Sequence, residues 1–189
     1  MPLRDILTPE PRVLFVGINP SLRSEAVGHH FAGPGNPFWR LLFAARLVPV
    51  ELTHNEDGRL AEFGLALTNL CPRATRAAAE LSREEIARGK RTLVSKIRRL
   101  RPAVVAFVGV TIYREFFGRA RSGTSGLPAS EAATAGAGAK PELIGGARVF
   151  VLPNPSGLNA SFPGFKHKLV WFERLREFID SPSTPPEKA

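Results

Sequence analysis

The chain has 189 residues, 43% of them hydrophobic, which is enough for one globular domain with a sizeable core and argues against disorder. It has no apolar run of about 18 residues and no signal-peptide pattern over residues 1–5, so we expect a cytoplasmic protein that does not span a membrane. The net charge of +9 favours a polyanionic partner, nucleic acid before an anionic membrane surface.

Four short apolar runs, each bounded by glycine or proline, predict four strands. They cover residues 12–17, 65–70, 103–108 and 148–152. The third run is apolar throughout, which is typical of a parallel strand that is covered on both faces. The first run stops at the turn Gly17-Ile18-Asn19-Pro20, where a long loop to residue 36 begins.

Helices are predicted between and after these strands. They cover residues 36–45, 82–101, 111–117 and 164–179. The second helix begins with a capping box from Ser82 to Glu85 and ends before Pro102. Its basic side is interpreted as a solvated face, with a DNA contact as the alternative. The basic residues are Lys90, Arg91, Lys96, Arg98, Arg99 and Arg101.

This order of elements predicts an α/β fold, a three-layer α/β/α sandwich with a central four-stranded, mainly parallel sheet. We expect one domain over residues 1–180. Residues 119–146 are rich in glycine, alanine and serine and are expected to form a flexible surface insertion. The proline-containing tail 181–189 is expected to be disordered.

Few residues are of the kinds that hold metals or cofactors. Cys71 is the only cysteine, which excludes an internal disulfide and a cysteine-ligated iron–sulfur cluster. The histidines form no HxxxH pair and lie near no acidic cluster, so no metal site is expected. The loop after the first strand carries neither a P-loop nor a GxGxxG motif. We therefore expect no cofactor.

Three asparagines follow predicted strands at their carboxyl ends. In an open α/β sheet these ends lie at one edge, where ligands bind, so Asn19, Asn69 and Asn154 are expected to face one site. An asparagine amide offers one acceptor and two donors, which suits the O4 and N3–H edge of uracil or thymine. Taken alone, Asn19 is more typical of a residue that caps a turn.

Other residues of this expected site fit a base in a nucleic acid. Phe31 can stack on the ring, and the backbone N–H groups of Ser156 and Gly157 can approach a phosphate. The site contains no Ser/His/Asp triad and no pair of carboxylates.

Five motifs together resemble one known family. They are Gly17-Ile18-Asn19-Pro20, Gly28-His29-His30-Phe31, Gly33-Pro34-Gly35-Asn36-Pro37-Phe38-Trp39, Thr68-Asn69-Leu70 and Asn154-Pro155-Ser156-Gly157-Leu158. The sequence resembles the mismatch-specific uracil/thymine-DNA glycosylases, a branch of the uracil-DNA glycosylase superfamily. The resemblance covers most of residues 4–118 and 148–178, and the first and last motifs are highly specific for this branch.

The resemblance implies roles in base chemistry for residues near the first two strands. Asn19 would position and weakly polarise the attacking water. Backbone N–H groups near Ile18, together with His30, would stabilise the departing uracil anion. Phe31 would stack on the flipped base, and Asn69 would contact the pyrimidine.

The resemblance also implies contacts between the last motif and DNA. Leu158 would be the wedge that enters the duplex where the base has left, and Gly157 and Asn159 would lie beside the orphaned guanine. Two lysines at the start of the last helix are expected to contact phosphate, the alternative being a solvated helix start. The full set of expected DNA-binding residues is Asn154, Ser156, Gly157, Leu158, Asn159, Lys166 and Lys168.

The sequence departs from the family pattern in two places that bear on the base-binding site. Ser21 stands where the family usually has glycine, so a different local turn is expected. Ser24, which we assign to the base-binding residues, stands where thymine-processing relatives have alanine. Its extra bulk is expected to disfavour the thymine methyl group.

We therefore expect a monofunctional, monomeric DNA glycosylase that flips uracil out of duplex DNA and hydrolyses its N-glycosidic bond, starting base excision repair. A G·U mismatch is the expected best substrate, with ethenocytosine and thymine as further candidates, and double-stranded DNA with a mismatched or damaged pyrimidine is the expected partner. Two alternatives stay open: a non-catalytic protein that binds mismatched or single-stranded DNA, and a hydrolase of small nucleobases or nucleosides.

Overall fold

The computed structural model describes residues 3–118, 136–156 and 163–181, which form a five-stranded sheet between two layers of helices. The strands are β1 (Val13–Gly17), β2 (Leu65–Asn69), β3 (Val104–Val108), β4 (Gly138–Ile144) and β5 (Ala147–Leu152). Their order across the sheet is β2-β1-β3-β5-β4, and all neighbours are parallel except β4 and β5. The predicted three-layer fold with a mainly parallel sheet is thereby confirmed.

The strand β4 was not predicted, because it lies inside the segment that was interpreted as a flexible insertion. Gly145 and Gly146, with φ angles of 58° and 89°, make the tight turn that pairs β4 with β5 as an antiparallel hairpin. Side chains along β4 alternate between more buried and more exposed positions, as expected for an edge strand. The rest of the predicted insertion, residues 119–135, and the tail residues 182–189 lie outside the described residues.

Five α-helices accompany the strands of the described chain. They are α1 (Leu22–Val27), α2 (Phe38–Ala44), α3 (Arg83–Leu100), α4 (Val110–Phe117) and α5 (Gly164–Asp180). The last four confirm predicted helices within a few residues. Helix α1 and the 3₁₀ helices His54–Phe63 and Ala78–Glu80 lie where only loops were expected. Helix α1 has six residues, too few for a periodic apolar pattern.

Each face of the sheet carries its own apolar core. Helices α2 and α5 and the 3₁₀ helix His54–Phe63 pack on one face, around buried Phe15 and Phe172. Helices α3 and α4 pack on the other face, around buried Phe107 and Ile97. The strands β1 and β3 are buried along their whole length. Among the described residues, no helix has the length and hydrophobicity that a membrane crossing requires.

Candidate active site

A cavity of about 390 Å³ opens where β1, β2 and β5 end. The structure brings together on its lining the three asparagines that follow these strands, Asn19, Asn69 and Asn154. Further expected site residues also line it, namely Ile18, Ser24, His30, Phe31 and Ser156. Its volume is in the range of ordinary small-ligand pockets. The carboxyl edge of the sheet is therefore the place where this molecule can hold a small ligand.

The side chain of Asn19 is fixed by two hydrogen bonds from its amide nitrogen. Nδ2 donates to the carbonyl oxygen of Arg73 at 2.9 Å and to Oγ1 of Thr75 at 2.7 Å. Thr75 in turn donates its hydroxyl proton to the carbonyl of Ala77 at 2.8 Å, which leaves its oxygen lone pairs for Asn19. Both amide hydrogens of Asn19 are thus used, and Oδ1 is the atom that is left to accept a proton from a ligand or a water.

Backbone hydrogen bonds hold the turn around Asn19 as an extension of the β1–β2 pairing. Leu70 N donates to Gly17 O at 2.8 Å, and Cys71 N donates to Ile18 O at 2.8 Å. Thr75 N reaches Pro20 O at 3.2 Å. The turn therefore cannot move without breaking the pairing that continues beyond the strands.

Asn69 lies directly beside Gly17, its partner in the register of the two strands. A β-carbon on residue 17 would stand 2.5 Å from Oδ1 of Asn69, closer than real contacts allow. A larger residue at position 17 would therefore require the amide of Asn69 to shift. This contact brings the amide of Asn69 to the cavity wall.

The two histidines of the second motif are hydrogen-bonded to Asp57, which lies in the 3₁₀ helix His54–Phe63. Oδ2 of Asp57 accepts the backbone N–H of His30 at 2.9 Å, and Oδ1 pairs with Nδ1 of His29 at 3.1 Å. Nε2 of His30 is 2.8 Å from the carbonyl of Arg4, which can only accept, so Nε2 carries the proton.

Burial favours the neutral form of the His30 ring. Desolvation is the largest cause of its lowered pKa, and the hydrogen bond to Arg4 only partly offsets it. In a neutral ring with the proton on Nε2, the other nitrogen is an acceptor. The expected donation from His30 to a departing uracil anion therefore has no N–H available in this arrangement, and the residue serves here as a brace between the motif and the amino-terminal segment.

The aromatic ring of Phe31 lines the cavity and rests on the core. It stacks on Phe38 with ring centroids 3.9 Å apart and an interplanar angle of 23°. The backbone of Phe31 adopts a φ of 50°, which is uncommon for a bulky residue. The fold thus supports one face of the ring, as a platform for stacking requires.

Ser21 and Ser24 explain why glycine is not needed at the start of α1. Ser21 is the N-cap of this helix, has a φ of −72°, and accepts the N–H of Ser24 on its hydroxyl oxygen at 3.1 Å. The buried hydroxyl of Ser24 accepts from Ala32 N at 3.2 Å and from the Ser21 hydroxyl at 3.1 Å. The serine at position 21 therefore caps a helix in a conformation open to any residue.

The loop after β5 is held by Lys168, which corrects the expectation that this lysine contacts phosphate. Lys168 is only 3% exposed, and its Nζ donates to the carbonyls of Pro155 at 3.2 Å and Ser156 at 3.1 Å. Burial lowers the pKa of its ammonium group. Oδ1 of Asn154 accepts the N–H of Ser156 at 3.0 Å and closes the same turn.

Lys166 is exposed on the first turn of α5, a position that is open to solvent and to DNA. Three further expected contacts, Gly157, Leu158 and Asn159, lie outside the described residues.

Comparison with known proteins identifies the family. The model of the uracil DNA glycosylase superfamily matches residues 5–176.

The chain belongs to this superfamily.

The G/U mismatch-specific uracil DNA glycosylase of Schizosaccharomyces pombe is 36% identical over 170 residues, which are 88% of this chain and 50% of that protein. The chain thus spans about half the length of this relative, which agrees with the predicted resemblance to the mismatch-specific branch. The solution structure of a protein from Methanosarcina acetivorans, provisionally assigned as a uracil DNA glycosylase, covers 93% of this chain and 97% of its own, with a TM-score of 0.60 and 18% identity. This second likeness shows the shared fold.

Two residues that fix this site, Asp57 and Thr75, could not be recognised from the sequence. Each acts through partners that are distant in the chain, such as Asn19, which lies 56 positions before Thr75. No local pattern marks them, although the Pro72 break after β2 indicates that a loop returns to the cavity there.

The charge of the cavity wall limits the chemistry that this glycosylase fold can perform. Among the described residues that line the cavity there is no carboxylate, and Arg76 is the only one with a permanent charge. The site therefore contains no strong general base, and any hydrolysis here depends on a good leaving group and on positioning.

Proposed function

We propose that the chain is a monofunctional DNA glycosylase that removes uracil from duplex DNA, most efficiently opposite guanine. The observation that carries the proposal is the Asn19 amide, fixed through Arg73 and Thr75 so that Oδ1 is its remaining acceptor in a cavity without carboxylates. The family and the relative named above support the same activity.

In the proposed reaction the uracil is first extruded from the stack, at a cost of a few kcal/mol that is lower at a mismatch. Phe31 stacks on the base, Asn69 hydrogen-bonds its edge, and Leu158 fills the gap in the duplex. Asn19 Oδ1 accepts a hydrogen bond from the attacking water and orients it towards C1′ of the sugar.

The bond from C1′ to N1 of uracil then breaks, and its electron pair leaves with the base. A bond from the water oxygen to C1′ forms, and the second water proton is released to solvent because a neutral amide cannot take it. The uracil anion takes up a proton from solvent, so the products are an abasic site and neutral uracil. No lysine takes part, so strand cleavage by a lyase step is not included.

Uracil is proposed over thymine because of Ser24. Its hydroxyl lines the cavity and is held by Ala32 and Ser21, so it cannot swing away from a 5-methyl group. The proposal also takes the protein to act as a monomer in the cytoplasm on DNA with a mismatched or damaged pyrimidine.

The test is a base-release panel on labelled duplexes with one U·G, U·A, T·G, ethenocytosine·G or C·G pair. Abasic sites are converted to breaks with alkali after a single turnover. We expect breaks at U·G first, none at C·G, and none without alkali. An Asn19→Ala variant that releases uracil as fast as the wild type would remove Asn19 from the mechanism.

The same panel separates the two alternatives. Tight, salt-dependent binding to mismatched DNA without base release would support a binding protein. Turnover of free deoxyuridine, with Leu158→Ala keeping full activity on duplex DNA, would support a hydrolase of small nucleosides.

A further inference from the structure

The mouth of the cavity carries an isolated positive charge whose role has not been assigned. Arg76 lines the cavity and is exposed to solvent. It follows Thr75 directly, the residue whose hydroxyl holds the Asn19 amide. The charge of Arg76 therefore lies on the same short segment that positions the Asn19 side chain.

Nearby arginines are committed to protein partners, whereas Arg76 is not. Arg73 makes a two-pronged ion pair with Glu85, at 2.6 and 2.9 Å, and also donates to the carbonyl of Glu80. Arg23 donates to the carbonyl of Ala32 at 2.9 Å. Within the described part of the chain, no hydrogen bond or ion pair engages the guanidinium of Arg76.

The backbone on both sides of Arg76 is fixed. Thr75 N donates to Pro20 O at 3.2 Å, and the N–H of Ala77 donates to the carboxylate of Glu80 at 2.8 Å. The hydroxyl of Thr75 closes the segment onto the carbonyl of Ala77. The backbone at Arg76 is therefore held in place while its side chain can change conformation to contact a ligand.

We propose that Arg76 binds a backbone phosphate next to the extruded nucleotide, an inference that rests on the proposed function. A nucleotide whose base occupies the cavity must leave its sugar and phosphates at the mouth, where Arg76 lies. Guanidinium is suited to phosphate because its planar N–H groups bind two oxygens at once. The contact holds the backbone in the turned-out geometry that puts C1′ beside Asn19.

The test combines a protein variant with a change in the DNA. Arg76→Gln removes the charge, and a methylphosphonate removes the charge of one phosphate at a time around the uridine. We expect the half-saturating protein concentration for single-turnover excision to rise roughly tenfold with Arg76→Gln. The salt dependence of binding should fall by about 0.9 in log–log slope, the value for one lost phosphate contact.

One methylphosphonate next to the uridine should raise the half-saturating concentration of the wild type by a similar factor. It should leave that of Arg76→Gln almost unchanged. Arg76→Lys should recover part of the affinity. Arg99→Gln removes the same charge and is the matched control. Arg99 is exposed near the carboxyl end of α3, which leads into the start of β3, whereas the cavity lies where the parallel strands end. An equal loss in Arg99→Gln, or additive losses at every phosphate, would overturn the assignment.

A second measurement separates this inference from the proposed function. Binding to a duplex with a stable tetrahydrofuran abasic analogue opposite guanine requires no bond cleavage. If the wild type releases no uracil, the proposed function fails. If it releases uracil but Arg76→Gln binds the abasic duplex with unchanged affinity and salt slope, only the phosphate contact fails. Thermal unfolding of each variant checks that it is folded under the assay conditions, so that the DNA affinities of folded proteins are compared.

Discussion

Two loops that line the cavity, one after β1 and one after β5, are stabilised in different ways. The β1 arm, residues 17–21, is fixed by neutral hydrogen bonds to the segment after β2, among them those of Asn19 to Arg73 and Thr75. The β5 arm, residues 153–156, is fixed by the turn of Asn154 and by the buried ammonium of Lys168. Several backbone and side-chain hydrogen bonds hold the first arm, whereas the side chains of Asn154 and Lys168 hold the second.

Because of this difference, we expect changes in the two arms to have different effects on the excision rate and on the stability of the fold. Single changes in the β1 arm should affect the rate of bond cleavage more than folding, because the remaining bonds keep the turn in place. A single change at Lys168 should affect folding directly, because it leaves two carbonyls without their donor. The following predictions test that contrast.

The largest expected effect is that of Asn19→Ala. Loss of the oriented acceptor should lower the single-turnover excision rate from a U·G duplex by about 10²- to 10³-fold. The free energy of unfolding should change by no more than about 1 kcal/mol, since the turn keeps its backbone bonds. Rapid-quench kinetics and urea unfolding give the two quantities. A large loss of stability with a small loss of rate would reverse the contrast.

Lys168→Met should destabilise the fold by about 1–3 kcal/mol, because the carbonyls of Pro155 and Ser156 lose their partner. Lys166→Met is the matched control for stability, since Lys166 is exposed on the same helix turn and should change the unfolding free energy by no more than about 0.5 kcal/mol. Equal unfolding midpoints for the two variants would show that the ammonium does not hold the β5 arm.

Thr75→Val should slow excision by about five- to tenfold, because Asn19 loses one of the two acceptors that set its orientation. Thr75→Ser keeps the hydroxyl and should recover most of the rate. The comparison of these two variants under single-turnover conditions isolates the hydrogen bond from the packing. If serine fails to rescue, the methyl group of Thr75 and not its hydroxyl is the important part.

The smallest expected effect concerns pH. The pKa of His30 is lowered in the folded protein, so below about pH 6.5 the unfolded state binds more protons than the folded state. Stability is therefore complete above that pH and is lost as the pH falls towards the lowered value. Urea unfolding of the wild type and His30→Gln at two pH values should show a smaller acid-induced loss in the variant. Parallel losses would assign the pH dependence to other groups.

The sequence predicted those parts of the molecule that depend on local patterns. The apolar runs that became β1, β2, β3 and β5 were found because buried parallel strands are continuous in hydrophobicity. The convergence of Asn19, Asn69 and Asn154 followed from the parallel order, since the carboxyl ends of such strands share an edge.

Features set by distant contacts were missed. The edge strand β4 has a half-polar sequence in a region rich in small residues and becomes a strand only by pairing with β5. Asp57 and Thr75 matter through partners on other elements. The burial of Lys168 had a signal that was overlooked, because it precedes Phe172 and Leu175 at helical spacing and therefore lies on the core side of α5.

The close approach of Asn69 to Gly17 couples these two positions in any redesign of the cavity. The amide oxygen of Asn69 stands close to the place of a β-carbon on residue 17. A larger residue 17 therefore requires the Asn69 side chain to move, whereas a change at position 69 makes no such demand on Gly17. Libraries that test the proposed base binding should therefore diversify position 69 together with Ser24, and should vary residue 17 only in combination with position 69.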